Sequence, residues 1–119
     1  MGFLPRNSKR YLPRHSVTVA VLDDNFPIAY GVVQDISEAG ICFVTNSPLS
    51  KDREFTLKMS FYREGLLAAG GRIVWSEASE QKPADDEGQR HGVQFTQLND
   101  RERQELQKIL FSSSFVETE

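Results

Sequence analysis

The stretch Arg53-Glu54-Phe55-Thr56-Leu57-Lys58-Met59-Ser60-Phe61-Tyr62 alternates apolar and polar residues from Phe55 to Phe61. Because successive side chains of a β-strand point to opposite faces, this alternation predicts a strand with one buried face and one solvated face. The predicted buried face carries Phe55, Leu57, Met59 and Phe61. We therefore expect a β protein whose core lies against this face.

Five further strands are predicted around this one. They are a strand beginning at Ser16 with Val17, Val19 and Val21 on one face, then Ala29 to Ile36, Gly40 to Thr45, Leu66 to Glu77 and Gly92 to Gln97. Gly70 and Gly71 interrupt the fifth strand and predict a bulge that bends the sheet, which helps to close a barrel. The polar, acidic stretch 78–89 is predicted to be a flexible hairpin loop.

The pattern changes to a helical period near the end of the chain. Asn99 can cap a helix, and Glu102 stands three residues later, as in a capping box. The apolar residues of one helical face are Leu106, Ile109 and Leu110. We expect a helix over about 99–111 that covers an open end or side of the sheet, followed by a frayed tail over 112–119.

Length and composition favour one small domain. A chain of 119 residues can bury one modest core, and no apolar run approaches the roughly 20 residues of a membrane helix. Cys42 has no cysteine with which to pair, and the N-terminus lacks the apolar stretch of a signal peptide, so a reducing cytoplasm is expected. The predicted fold class is all-β, a six-stranded antiparallel β-barrel with a C-terminal α-helix.

Basic residues are concentrated at the N-terminus. Arg6, Lys9, Arg10 and Arg14 all precede Asp23, the first acidic residue, although the whole chain has a net charge of −3. Residues 1–15 are therefore predicted to be a mobile, extended, basic arm, and residues 16–111 to be the folded domain. The acidic remainder is a poor surface for DNA or RNA, whereas a small anionic ligand fits this layout. A basic tail that only keeps the protein soluble is the alternative.

Two short motifs stand on either side of the first predicted strand: Arg10-Tyr11-Leu12-Pro13-Arg14 and Asp35-Ile36-Ser37-Glu38-Ala39-Gly40. Either motif alone occurs in many unrelated loops. The order Arg-x-x-x-Arg followed by Asp-x-Ser-x-x-Gly resembles the signature of PilZ domains, bacterial receptors for the second messenger cyclic di-GMP. The resemblance covers most of the chain, and the predicted order of strands and helix also looks like a PilZ-type barrel.

The resemblance implies that Arg10 and Arg14 bind the ligand. A guanidinium group can donate two parallel hydrogen bonds to guanine O6 and N7 or to a phosphate, and it stays charged near neutral pH. Pro13 favours an extended arm in which the two groups reach different parts of one dinucleotide. In a helix, the alternative, they would only share a face.

The second motif would supply the remaining contacts. Ionised Asp35 could accept the N1 and N2 protons of a guanine, and Ser37 could donate to a phosphate or base acceptor. Gly40 would allow a positive φ in the turn that leads into the third strand. The alternative for all three residues is a local turn that joins two strands.

Lys9 stands where many family members have an arginine, so the resemblance leaves open whether one ligand or a stacked pair is bound. Secondary ligand candidates are Trp75, Arg72 and His15. The indole of Trp75 could stack on a base, or it could pack in the core.

The resemblance predicts a non-catalytic receptor with no metal and no cofactor besides the ligand. The arm would be mobile when empty and fold over the ligand, which changes the surface presented to an unidentified downstream protein. One rival is a PilZ-like protein interaction module without nucleotide affinity. A second is an oligonucleotide-binding barrel with stacking aromatic residues, which the acidic body disfavours. His15 and His91 have no partners at recognised metal-binding spacing.

Overall fold

The computed structural model describes residues 9–63, 65–78 and 88–118. In chain order the elements are β1 (Tyr11–Pro13), β2 (Thr18–Asp23), β3 (Phe26–Ile36), β4 (Gly40–Thr45), β5 (Glu54–Phe61), β6 (Gly65–Ala78), β7 (Gln89–Gln97), α1 (Asp100–Leu110) and β8 (Phe115–Glu117). Residues 79–87, which make up most of the predicted hairpin loop, lie outside the described residues. Residues 1–8 of the predicted arm also lie outside them.

All strand pairs are antiparallel, in the order β2-β5-β6-β7-β4-β3-β1-β8. An additional pairing between β2 and β3 joins the ends of the six-strand series β2 to β3, which closes it into a barrel. The predicted six-stranded antiparallel barrel with a C-terminal helix is therefore confirmed. The strands β1 and β8 extend the sheet beyond the barrel.

The alternating residues fill the barrel interior as their pattern predicts. Every second residue of β5 is buried, and so are the three valines at the start of the domain: Phe55, Leu57, Met59, Phe61, Val17, Val19 and Val21. The β6 register shifts between Gly70 and Gly71, which confirms the predicted bulge. A Cβ atom on Gly71 would lie 2.6 Å from the Val93 side chain, so glycine permits the close approach of β6 and β7 there.

The helix begins with the predicted capping box. The Asn99 side chain accepts a hydrogen bond from the Glu102 backbone N–H at 2.8 Å, and the Glu102 carboxylate accepts one from the Asn99 N–H at 3.3 Å. Leu106, Ile109 and Leu110 are buried and join the barrel core. No helix within the described ranges has the length and apolar character that crossing a membrane requires.

The two short strands correct the sequence interpretation of both termini. A frayed tail was predicted over 112–119, but Phe115–Glu117 forms β8, and the predicted arm contains β1. These strands pair with each other over three positions, and Tyr11 pairs with Ile36 of β3. A strand of three residues is too short to show a period, which is why the sequence did not reveal either one. The mobility predicted for the arm stays a prediction.

His91 is a fully buried polar residue of β7. Its Nδ1 lies 2.6 Å from the Ser76 hydroxyl, and its Nε2 lies 3.4 Å from the Ser47 carbonyl oxygen. A neutral ring that accepts from Ser76 and donates to Ser47 satisfies both contacts. Burial lowers the pKa of His91, because the charged ring would lose its hydration.

We predict that the free energy of unfolding falls as the pH drops below about 6.5, the ordinary pKa of histidine. The unfolded chain binds a proton at His91 before the folded chain does, so acid favours unfolding. Urea denaturation at pH 8 and at pH 5 measures this change, with His91→Gln as the comparison. If the wild type and the variant lose the same stability between these two pH values, His91 is not responsible.

Candidate functional site

The two sequence motifs meet across the pairing of β1 with β3. Tyr11 lies opposite Ile36, and this register sets the preceding Arg10 beside Asp35. The Arg10 Nη1 atom lies 2.5 Å from the Asp35 Oδ1 atom, and both side chains are partly exposed. A charge-assisted hydrogen bond therefore joins residues 25 positions apart in the chain.

The two motif arginines stand at either end of β1. Arg10 and Arg14 flank Leu12, which is 45% exposed, whereas Tyr11 between them is buried. This alternation excludes the helical alternative, because Tyr11–Pro13 is a strand. An extended backbone separates the two arginine Cα atoms by about 13 Å. Within the described residues, Arg14 has no ion pair, so its guanidinium group is available to a ligand.

Lys9 is engaged by the other end of the chain. Its Nζ atom lies 3.1 Å from a carboxylate oxygen of Glu117 in β8, and both side chains are largely exposed. The hydrogen bond to Glu117, together with the negative charge of Glu117, raises the pKa of Lys9. Lys9 is therefore fully charged at neutral pH and can exchange this partner for another anion.

Ser37 and Gly40 form a local turn that joins β3 to β4, which was the alternative interpretation of the second motif. The buried Ser37 hydroxyl accepts hydrogen bonds from the N–H groups of Ala39 at 3.0 Å and Gly40 at 3.2 Å. The Ser37 N–H donates to the Gly40 carbonyl at 2.8 Å. The expectation of a positive φ at Gly40 is wrong, since Gly65 is the described glycine that has one. Ser37 thus fixes the turn beside Asp35, and direct contact with a ligand stays a prediction.

A row of residues crosses the outside of the barrel from Asp35. Asp35 lies opposite Cys42 of β4, Cys42 opposite Gly92 of β7, and Gly92 opposite Trp75 of β6. Three strand spacings put Trp75 about 14 Å from Asp35. The indole is half-buried and lies directly over Gly92, where an added Cβ atom would be 2.1 Å from the indole nitrogen. Trp75 is thus a surface-lining residue rather than part of the barrel interior.

Arg90 is a residue of this surface that the sequence did not reveal. Its guanidinium carbon lies 5.7 Å from the centre of the Trp75 ring, and its Nη1 atom lies 3.1 Å from Glu77. The Arg90 Nε atom is buried and has no hydrogen-bond partner among the residues that the structure describes. Arg90 belongs to no motif, and only the pairing of β6 with β7 brings it to Trp75, so no local signal marks it.

Cys42 lies beneath this surface and is buried. Burial raises the pKa of its thiol, and the negative charge of Asp35 adds to the effect. Its Sγ atom lies 3.7 Å from the side-chain oxygen of Gln34, to which it donates. Cys42 is therefore a neutral thiol that adds no charge to the surface above it.

The other two secondary candidates occupy different places. Arg72 is on the outer face, in register with Gln94, and pairs with Glu54 at 2.6 Å. His15 stacks on Tyr62, with ring centres 4.2 Å apart. Tyr62 follows β5, and β2 lies between β5 and β3, so the structure does not bring His15 to Asp35. Arg72 can extend the surface that contains Trp75, whereas His15 cannot.

A cleft elsewhere on the barrel does not coincide with the motifs. It has a volume of about 300 Å³ and lies where β5, β6 and the start of α1 meet. Its lining includes Thr56, Gly70, Gln97 and Asn99 but no residue of either motif. The candidate site is instead an open surface on β1, β3 and the neighbouring strands. The positively charged side chains on this surface can attract an anion.

Comparisons with known proteins identify the family and the fold of the chain. A family model described as the PilZ domain matches residues 5–112. The PilZ domain of YcgR from Escherichia coli, solved with c-di-GMP, has a similar structure with a TM-score of 0.75 and 14% identity, covering 91% of this chain and 90% of that one. No curated protein sequence matches the chain significantly.

Two longer proteins have the same fold. The K. pneumonia MrkH–c-di-GMP complex gives a TM-score of 0.74 at 18% identity, over 90% of this chain and 51% of that one. The Bacillus subtilis inhibitor of motility MotI/DgrA gives a TM-score of 0.68 at 14% identity, over 91% of this chain and 50% of that one. The chain thus spans about half the length of MrkH and MotI.

We predict that Gly92→Ala displaces the Trp75 indole, because the new methyl group would occupy the space of the ring. Trp75 is the single tryptophan of the chain, so its fluorescence reports this surface alone. The emission maximum should shift to longer wavelength as the ring becomes more exposed. An emission spectrum identical to that of the wild type would show that the indole does not lie over Gly92.

Proposed function

Because the chain belongs to the PilZ domain family, we propose that it is a non-catalytic bacterial receptor for cyclic di-GMP. The observation that carries this proposal is the contact of Arg10 with Asp35, which brings both motif halves to one surface. Two of the solved neighbours contain c-di-GMP. Their low identity supports the fold alone, so the ligand assignment depends on the motif residues.

Arg10 and Arg14 would hold the anionic and guanine groups of the ligand. They stand at either end of β1, with Cα atoms about 13 Å apart, so they can reach different parts of one dinucleotide. Arg14 is available without breaking an ion pair among the described residues. Each can donate two parallel hydrogen bonds to a phosphate or to guanine O6 and N7.

Asp35 would select guanine over adenine. Its carboxylate accepts hydrogen bonds, and guanine presents the neighbouring N1 and N2 donors that adenine lacks in this arrangement. In the structure, Arg10 donates a hydrogen bond to one carboxylate oxygen of Asp35. Ligand binding would therefore leave Asp35 shared between Arg10 and the base, or release Arg10 to the ligand. Ser37 and Gly40 would act by fixing the turn beside this carboxylate.

Trp75 and Arg90 would form the far side of the site. A guanidinium group over an indole offers a flat surface with a positive charge, which suits a guanine base or a phosphate. Arg72 lies one row away on the same outer face and can contribute a further charge. Lys9 would meet the phosphate of the ligand after leaving Glu117. Whether one ligand or a stacked pair binds is open at this position.

Ligand binding would transmit a signal through the arm. The cations of residues 9–14 exchange carboxylate partners for the ligand, which orders their side chains and changes the surface that a downstream protein meets. Part of the interaction energy is spent on this ordering. The cytoplasm is the proposed location, in accordance with the free thiol of Cys42.

A protein interaction module is the second candidate function. One observation favours it: a stripe of apolar side chains along the outer face of β3 is exposed, namely Phe26 at 72%, Ile28 at 41%, Tyr30 at 68% and Val32 at 49%. Contiguous exposed apolar surface is typical of sites that bind other proteins. The stripe is compatible with the receptor function, because it could be the surface that the downstream partner meets.

Arg10→Ala and Arg14→Ala should each weaken cyclic di-GMP binding by roughly tenfold to a hundredfold, since a good bidentate contact with guanine contributes about 1 to 3 kcal/mol. Isothermal titration calorimetry measures the change. Arg101→Ala, which removes an exposed arginine from α1, is the matched control and should bind like the wild type.

Two results would contradict the assignment. If Arg10→Ala and Arg14→Ala bind cyclic di-GMP with the affinity of the wild type, the arginines are not ligand residues. A wild type that binds no cyclic di-GMP while retaining its folded structure would leave the interaction module as the better account.

A further inference from the structure

The C-terminal strand β8 holds the backbone of the arm. The Thr118 N–H donates to the Arg10 carbonyl at 2.8 Å, and the Thr118 hydroxyl donates to the same oxygen at 3.2 Å. At the other end of β1, the Arg14 N–H donates to the Ser114 carbonyl at 2.8 Å. The backbone at each motif arginine is thus tied to the same segment, residues 114–118.

The barrel also holds β1, because the buried side chain of Tyr11 belongs to the barrel core. Tyr11 is opposite Ile36 in the one register pair between β1 and β3, whereas β1 and β8 are in register at three positions. Burial of Phe115 beside Phe61, with ring centres 6.1 Å apart, anchors β8 in the core. The arm is therefore held from two sides, by Tyr11 in the barrel core and by β8, which Phe115 anchors.

The same pairing creates an apolar surface between the two arginines. Leu12 lies opposite Val116, and these side chains are 45% and 39% exposed. Leu12 stands midway between Arg10 and Arg14 in the chain, on the exposed face of β1 opposite to the buried Tyr11. Exposed apolar residues are common singly, but this cross-strand pair lies between two cations of the proposed site.

We propose that β8 completes the ligand site in two ways: it fixes the backbone of the arm, and its Val116 forms with Leu12 an apolar platform for the face of a purine base. This inference rests on the proposed function, and it assigns ligand-binding roles to Leu12, which stands between the two motif arginines, and to Val116, which lies outside both motifs. The face of a purine is apolar, while its edges and the phosphates carry the polar groups. A base lying on Leu12 and Val116 would have a guanidinium group available on either side.

Holding the arm before the ligand arrives also has an energetic consequence. A binding segment that is already extended loses less conformational freedom on binding than a free one, so its affinity is higher. Residues 10–14 would otherwise have to be ordered by the ligand itself. The C-terminal strand therefore acts as a positioning element for Arg10 and Arg14.

The test uses four variants of the full chain in cyclic di-GMP calorimetry. Leu12→Thr and Val116→Thr make the platform polar while retaining side chains that suit a strand. Thr118→Pro removes the N–H that donates to Arg10, whereas Leu66→Thr changes an exposed leucine, 75% accessible, near the start of β6 and outside both motifs. Amide hydrogen exchange at Arg14 without ligand reports whether β8 still holds the arm.

We expect Leu12→Thr and Val116→Thr each to weaken binding by about threefold to tenfold, the size that loss of one or two apolar groups from a contact produces. Thr118→Pro should weaken binding by about twofold to tenfold, with faster exchange of the Arg14 amide, because one backbone hydrogen bond is lost. Leu66→Thr should bind like the wild type. Thermal unfolding of each variant checks that the barrel core is intact.

The inference and the proposed function fail in different ways. If the wild type binds and Arg10→Ala weakens binding, but the Leu12, Val116 and Thr118 variants bind like the wild type, then β8 has no part in the site and the inference is overturned. If binding weakens equally in Leu66→Thr, the platform is not specific and the inference is also overturned. If the folded wild type binds no cyclic di-GMP, both are overturned.

Discussion

The position of β3 is the constraint on which the rest of the structure depends. This strand pairs with β2 to close the barrel, with β4 along its second half, and with β1 at Ile36. Asp35 precedes Ile36, the residue of β3 that pairs with β1. The pairing of β1 with β3 therefore also brings Arg10 into contact with Asp35. A one-residue change in this register would turn the motif side chains to the opposite face.

Much of the barrel could be predicted from the sequence, because its strands are amphipathic and long enough to show a period. The alternation from Phe55 to Phe61, the bulge at Gly70 and Gly71, and the capping box of α1 all record local physical requirements. The strands β1 and β8 could not be predicted, since each has three residues and depends on the other for its hydrogen bonds. The two motifs predicted that Arg10 and Asp35 lie at one site, and these residues are in contact. Arg90 and Val116 reach the candidate surface only through long-range strand pairing, which no local pattern indicates.

Of the three Lys and Arg side chains that the structure describes in the arm, two are paired with carboxylates. Lys9 contacts Glu117 and Arg10 contacts Asp35, while Arg14 has no ion pair within the described part of the chain. Ion pairs that are this exposed to solvent are weak, so an anionic ligand could displace them at small cost. The carboxylates keep the cations close to the site without holding them firmly.

Nuclear magnetic resonance of isotope-labelled protein during titration with cyclic di-GMP tests the central claim most directly. The account predicts that the backbone resonances of Arg10, Arg14, Asp35, Ser37 and Gly40 shift together with one saturation curve, and that the Arg10 and Arg14 side-chain signals sharpen as they become ordered. Shifts confined to other parts of the barrel, with these five residues unchanged at saturation, would contradict it.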